Sequence, residues 1–186
     1  MAQFYYLISS LPMLEPDEAP KLTPEDFSAA CADCISPKQA EILKSLSLVP
    51  GAGVMPEWEE WETMLRNRLA GRRSKAVENS GRYIREEKDF FSEIEHGVQE
   101  VYLKDNPLER ENFLDTLRWN RLEDIEAGHE FDFTKLCVYK LKLLLCGKRA
   151  ARDRVQGEEN YDRIVAHIYG ADPLSPLQIP EDTDED

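Results

Sequence analysis

Phe133-Thr134-Lys135-Leu136-Cys137-Val138-Tyr139-Lys140-Leu141-Lys142-Leu143-Leu144-Leu145-Cys146-Gly147-Lys148-Arg149 is the stretch on which the fold turns. It reads as a helix, about 133–149, that is apolar nearly all round, with Leu136, Val138, Tyr139, Leu141, Leu143, Leu144 and Leu145 spread over its faces. A helix of this kind belongs in the middle of a bundle, because only neighbours on several sides can cover it. Lys135, Lys142 and Arg149 recur every seven residues and form its one wet seam. Lys140 projects about 200° away from Lys142, into the apolar side, so it either snorkels or pairs with a carboxylate.

The neighbours needed to cover that helix are present on its N-terminal side. Asn106-Pro107 caps a long helix with Leu114, Leu117, Leu122 and Ile125 on its main face, Leu108 and Trp119 on a second edge, and Gly128 at its end. Before it, Tyr83, Phe90, Ile94, Val98 and Val101 follow one another at spacings of seven, four, four and three, one continuous helical face. Pro56 opens a further helix whose stripe is Trp58, Trp61, Leu65 and Leu69. Pro50-Gly51-Ala52-Gly53 is a loop and the best internal boundary. Thr23-Pro24-Glu25-Asp26 and Ser36-Pro37-Lys38-Gln39 are each a cap followed by proline, which predicts short helices over about 24–34 and 37–48. Tyr161, Ile164, Val165 and Ile168 define a last short helix.

The expected fold is therefore mostly all-α, an irregular bundle of about six or seven helices. The run Phe4–Ile8 is open between a short strand and a buried helix. Three regions follow: residues 1–50 as an N-terminal segment with two short helices, 51–170 as the main bundle, and 171–186 as an acidic tail with nothing to bury, read as disordered.

Composition narrows the function. The 186 residues carry 23 basic against 37 acidic side chains, a net charge of −14, which excludes non-specific binding to nucleic acid or to anionic membranes by the chain as a whole. Seven phenylalanines, seven tyrosines and three tryptophans supply a core, and no stretch approaches the roughly 20 apolar residues of a membrane span. The start lacks the positive n-region of a signal peptide, and four cysteines are too few for a disulfide scaffold. A cytoplasmic protein with reduced thiols is expected.

Candidate chemistry is sparse. Cys31-Ala32-Asp33-Cys34 ends a predicted helix, whereas a redox Cys-x-x-Cys needs its nucleophilic thiol at a helix N-terminus; Cys137 and Cys146 do not complete a zinc knuckle. Glu93…His96 and Glu126…His129 are two E-x-x-H pairs, the pattern that binds two irons or manganeses in a ferritin-like bundle with two further glutamates, for which Glu62 and Glu111 could be proposed. However, His96 lies off the apolar stripe of its helix and His129 follows the helix-ending Gly128. Phosphate-binding glycine loops and a nucleophile-elbow serine are absent from the sequence. The chain reads as non-catalytic, with no cofactor.

One charge feature departs from the average. Arg66, Arg68, Arg72, Arg73, Lys75, Arg82 and Arg85 stand against the single acid Glu78. In an acidic protein this predicts a positive patch that docks an acidic protein partner through guanidinium–carboxylate pairs; a generic helical adaptor would use it in the same way. RNA is the weaker reading, since only Tyr83 interleaves an aromatic side chain.

Three stretches carry a resemblance: Phe4-Tyr5-Tyr6-Leu7-Ile8-Ser9-Ser10-Leu11-Pro12-Met13-Leu14; Asn106-Pro107-Leu108-Glu109-Arg110-Glu111 running to Leu117-Arg118-Trp119; and Phe131-Asp132-Phe133 with Leu136, Tyr139, Leu141 and Lys142. Together with the order of long helices, over roughly residues 4 to 150, they resemble an uncharacterised bacterial family encoded beside V/A-type ATPase genes and described as similar to the C subunit of that ATPase. The resemblance implies a spacer that grips the central stalk on one side and the membrane rotor ring on the other, with the chain peripheral to the inner membrane through those partners and not inserted in it. The C subunit is built of three similar helical units and is far longer, so this chain would supply part of such a funnel or assist its assembly. No catalytic residue comes with the resemblance.

Overall fold

The computed structural model describes residues 2–74, 84–152 and 161–166, and no strand occurs among them. Seven helices follow one another in the first unit, Met1–Ala150: α1 (Ala2–Ser10), α2 (Pro24–Cys31), α3 (Pro37–Ser45), α4 (Pro56–Ser74), α5 (Ser92–Val101), α6 (Pro107–Glu126) and α7 (Phe133–Ala150). In the second unit, Ala151–Asp186, residues 161–166 are helical. The acidic tail and Ile168 lie outside the described residues.

Each short helix starts where its capping chemistry dictates. Thr23 accepts the N–H of Asp26 at 3.1 Å ahead of Pro24, and Ser36 and Gln39 form a reciprocal capping box ahead of Pro37. Asn106 accepts the N–H of Leu108 at 2.8 Å and Pro107 opens α6. Gly128, at φ +87°, makes the left-handed turn after α6 that a side chain would resist. The Phe4–Ile8 run is helical: α1 buries Leu7, partly buries Phe4 and Ile8, and leaves Tyr5 and Tyr6 outward, the period of a helix and not of a strand.

As the all-round pattern requires, α7 is the central helix, packed against α1, α2, α3 and α6. The N-terminal segment therefore shares the core of the helices that follow it, and Phe27, Cys31 and Leu43 join the cluster that holds Trp58, Leu122 and Leu141. The lysine seam of α7 is ion-paired and not wet. Lys135 and Lys142 both meet Glu126, and Arg149 meets Asp17. Lys140 is buried, and its partner is neither solvent nor a carboxylate but the carbonyl of Leu43 in the last turn of α3, where unsatisfied carbonyls and the negative end of the helix dipole favour a cation.

One element differs in extent from the sequence reading. The face through Tyr83 and Phe90 predicted a single helix to Val101, yet α5 begins at Ser92, Phe90 is exposed and Tyr83 lies outside the described residues. The cause is a competing set of bonds. The Asn67 side chain donates to the carbonyl of Arg85 and accepts its N–H, at 2.8 and 3.0 Å, and donates to Glu87 at 2.8 Å. Residues 84–88 thus run non-helically beside α4, their backbone partner being a side chain.

Candidate functional site

Five of the seven residues of the predicted basic patch lie among the described residues. Arg66 pairs with Glu62 one turn earlier at 2.8 Å. Arg68 reaches Glu95 on α5 and Glu87 at 2.8 Å, which holds its guanidinium in the charged form. The Arg85 guanidinium donates to the carbonyl of Pro50 at 3.0 Å. Arg68 thus ties α4 to α5 and to the segment before it, while the Arg66 pair stays within α4. Arg66, Arg72 and Arg73 are exposed on α4, and Lys75 and Arg82 lie outside the described residues.

The E-x-x-H pairs are not brought together either. Glu93 accepts the indole N–H of Trp61 at 3.2 Å, His96 is exposed, Glu126 is held by two lysines, and His129 bonds Asp132. Among the described residues no group of three or more histidines, cysteines, aspartates and glutamates is placed to hold a metal ion. Cys31 is the last residue of α2, and burial pushes its thiol up to about 11 and that of Cys137 to about 12, so neither is a nucleophile at neutral pH.

Glu62 has a different role. It is fully buried and takes two parallel bonds from Arg118 on α6, Nε to Oε2 and Nη2 to Oε1, both at 3.0 Å. Arg118 also donates to Asp115 at 2.9 Å, and Asp115 takes Lys148 of α7 at 3.0 Å. Burial alone would loosen the hold of Arg118 on its proton, but the two carboxylates outweigh it and the proton is held more tightly than usual. A single ion network thus joins α4 and α6 inside the apolar core and reaches α7 through the exposed Lys148. The sequence held a signal for it: Asp115 and Arg118 lie seven and four residues before Leu122, on the apolar face of α6.

The stretches that carried the resemblance meet beside the C-terminal half of α6. A cleft of about 340 Å3 there is lined by Pro12, Met13, Trp119, Glu126, Tyr139 and Lys142, among others. The Tyr139 hydroxyl donates to the carbonyl of Pro12 at 2.8 Å, and burial raises the phenol to about 12. The Lys142 ammonium lies 4.8 Å from the Trp119 ring centre, whose N–H goes to Glu123. Glu126 is pushed up by burial, but Lys135 and Lys142 more than reverse this and hold it below the ordinary carboxylate range. Outside this region Tyr5 packs on Phe131 at 4.8 Å and on Tyr6 at 5.6 Å, an exposed aromatic group of three.

At the other end of α6 lies a second, partly exposed group. The Tyr102 ring has the Arg72 guanidinium 5.7 Å and the Arg110 guanidinium 5.8 Å from its centre. Arg110 Nε donates to the carbonyl of Lys104 at 2.6 Å, and the Lys104 ammonium sits 5.5 Å from the Phe113 ring. Leu103 and Leu108 are exposed beside them. This corner was missed from the sequence, because its cations come from three separate segments.

Residues 85–170 match a family described as "Protein of unknown function (DUF2764)". The DUF2764 segment begins at the arginine pinned by Asn67 and takes in α5, α6, α7 and the helical residues 161–166. It contains the whole of α6 but not Tyr5, Tyr6 or Arg72, and α4 with Arg66–Arg73 precedes it. No curated protein and no solved structure matches the chain.

Proposed function

We propose that this protein is a non-catalytic helical spacer, a component or accessory of a bacterial V/A-type ATPase akin to that enzyme's C subunit, and that it links the central stalk to the membrane rotor ring. The observation that carries this reading is the placing of two adhesive surfaces at the two ends of α6. Tyr5, Tyr6 and Phe131 lie beyond its C-terminus and Tyr102, Leu103, Leu108 and Arg110 at its N-terminus, and the helix of 20 residues between them spans about 30 Å. Exposed or half-buried tyrosine, phenylalanine and arginine in groups are the composition of docking surfaces. The buried Glu62–Arg118–Asp115 network, its exposed link to Lys148 and the central α7 stiffen the body between them, as transmission of torque requires. The resemblance of residues 4 to 150 supplies the partners.

Among the described residues no helix is long and apolar enough to cross a membrane, so attachment to the inner membrane from the cytoplasm would run through partner subunits. The test is affinity purification of the tagged chain from native membranes at moderate salt after mild cross-linking. Stalk and ring subunits are expected in the eluate; an eluate without either would overturn the assignment.

A further inference from the structure

In a chain where acids outnumber bases 37 to 23, an arginine without a carboxylate is left so by geometry and not by shortage. Arg66, Arg68, Arg118 and Arg149 all have acidic partners. Arg72 and Arg110 have none among the described residues, although both stand against one ring, that of Tyr102. The ring offers each guanidinium a negative face but cannot cancel their mutual repulsion. A carboxylate brought to them by a partner would offset it, and both guanidiniums keep N–H groups free to donate to it.

The apolar surroundings show what kind of molecule brings that carboxylate. Leu103 is 79% exposed and Leu108 47% exposed, next to the arginines along the turn from α5 into α6. A free anion gains nothing from leucines, whereas a peptide with an acidic and an apolar face uses both. Glu100, Asp105 and Glu109 are exposed on the same stretch and would repel a polyanion such as nucleic acid while tolerating isolated carboxylates.

We infer that the corner built by Arg72, Tyr102, Leu103, Leu108 and Arg110 docks an acidic amphipathic helix of a partner protein, its carboxylates on the two guanidiniums and its apolar side chains on the two leucines. This deepens the spacer reading by naming one of its surfaces, and it rests on the chain being a docking protein rather than on the partner being an ATPase.

The test titrates the isotopically labelled full chain with a fluorescein-labelled helical peptide of glutamate and leucine on opposite faces. A lysine–leucine peptide of the same pattern and inorganic tripolyphosphate serve as comparisons. The acidic peptide is expected to shift the Arg72 and Arg110 side-chain N–H signals and the Leu103 amide. Its affinity should fall about tenfold or more in the Arg72→Glu, Arg110→Glu variant and stay unchanged in Lys38→Glu, a surface cation on α3. Leu103→Ser gives a second reading on an exposed position should the double reversal disturb folding. The inference is overturned if the acidic peptide leaves the corner unshifted, if the lysine peptide binds equally well, or if tripolyphosphate alone shifts the two arginines. Binding of the acidic peptide without co-purifying ATPase subunits supports the corner and removes the ATPase assignment. Retention of those subunits by a variant whose corner no longer binds the peptide leaves that assignment standing and overturns the corner as their contact.

Discussion

Arg118 and the pair Arg72–Arg110 are two solutions to placing a guanidinium in one protein. Arg118 is buried, doubly bonded to Glu62 and bonded again to Asp115, so its charge is consumed in joining helices. Arg72 and Arg110 rest on an aromatic face at the edge of the bundle, their charge still available. The lesson is that charge density along the chain says little about where binding charge resides. What matters is which cations the fold leaves without a carboxylate.

This contrast can be broken in measurable steps. Arg118→Leu leaves Glu62 buried with only Arg66 beside it and should cost about 3–5 kcal/mol in urea unfolding. Replacing Glu62 and Arg118 together by methionine should cost far less, because no uncompensated charge remains in the core. Equal losses in the two variants would mean that the site matters for its shape and not for its charges.

Glu126→Gln comes next, at about 2 kcal/mol, since it strips the nearly buried Lys142 of its counter-charge. The sign of the pH effect follows from its direction. A carboxyl held below its unfolded value contributes fully above that value, near 4.3, and loses the contribution as pH falls through the lower folded one. The Gln variant should therefore lose less stability than the parent between pH 5 and pH 3, as thermal unfolding at a series of pH values would show.

Gly97→Ala tests the packing of α5 on α6. The added methyl would come 2.6 Å from Leu117 Cδ1, which must rotate away, and the strain is partly offset by the helix preference of alanine; a net loss of about 1 kcal/mol is expected. In a Leu117→Ala background the same change should stabilise. At the small end, Arg72→Ala and Arg110→Ala should each move stability by under about 0.5 kcal/mol, because neither side chain closes an internal ion pair. A loss comparable to that of Arg118→Leu would erase the contrast.

The helices were legible because their signals are local. Proline after Thr23, Ser36 or Asn106 sets a start, Gly128 sets an end, and the apolar circumference of 133–149 names the central helix. What was not legible depends on partners far along the chain. Nothing near residue 85 announces that Asn67 will hold its backbone, and Lys140 points into the core without showing that the end of α3 waits for it. The site suffered likewise. The run of arginines does not show that Glu62, Glu87 and Glu95 pair with Arg66 and Arg68, or that Arg110 reaches Tyr102 from another helix.

The central claim is that the chain bridges two bodies through the two ends of α6. It is tested most directly by placing a photo-reactive benzoylphenylalanine at Tyr6 in one protein and at Leu103 in another, both strongly exposed, and irradiating each in native membranes. Mass spectrometry of the adducts should identify a different partner from each position, one from the stalk and the other from the ring. Adducts to the same partner from both positions, or only to further copies of this chain, would contradict the account.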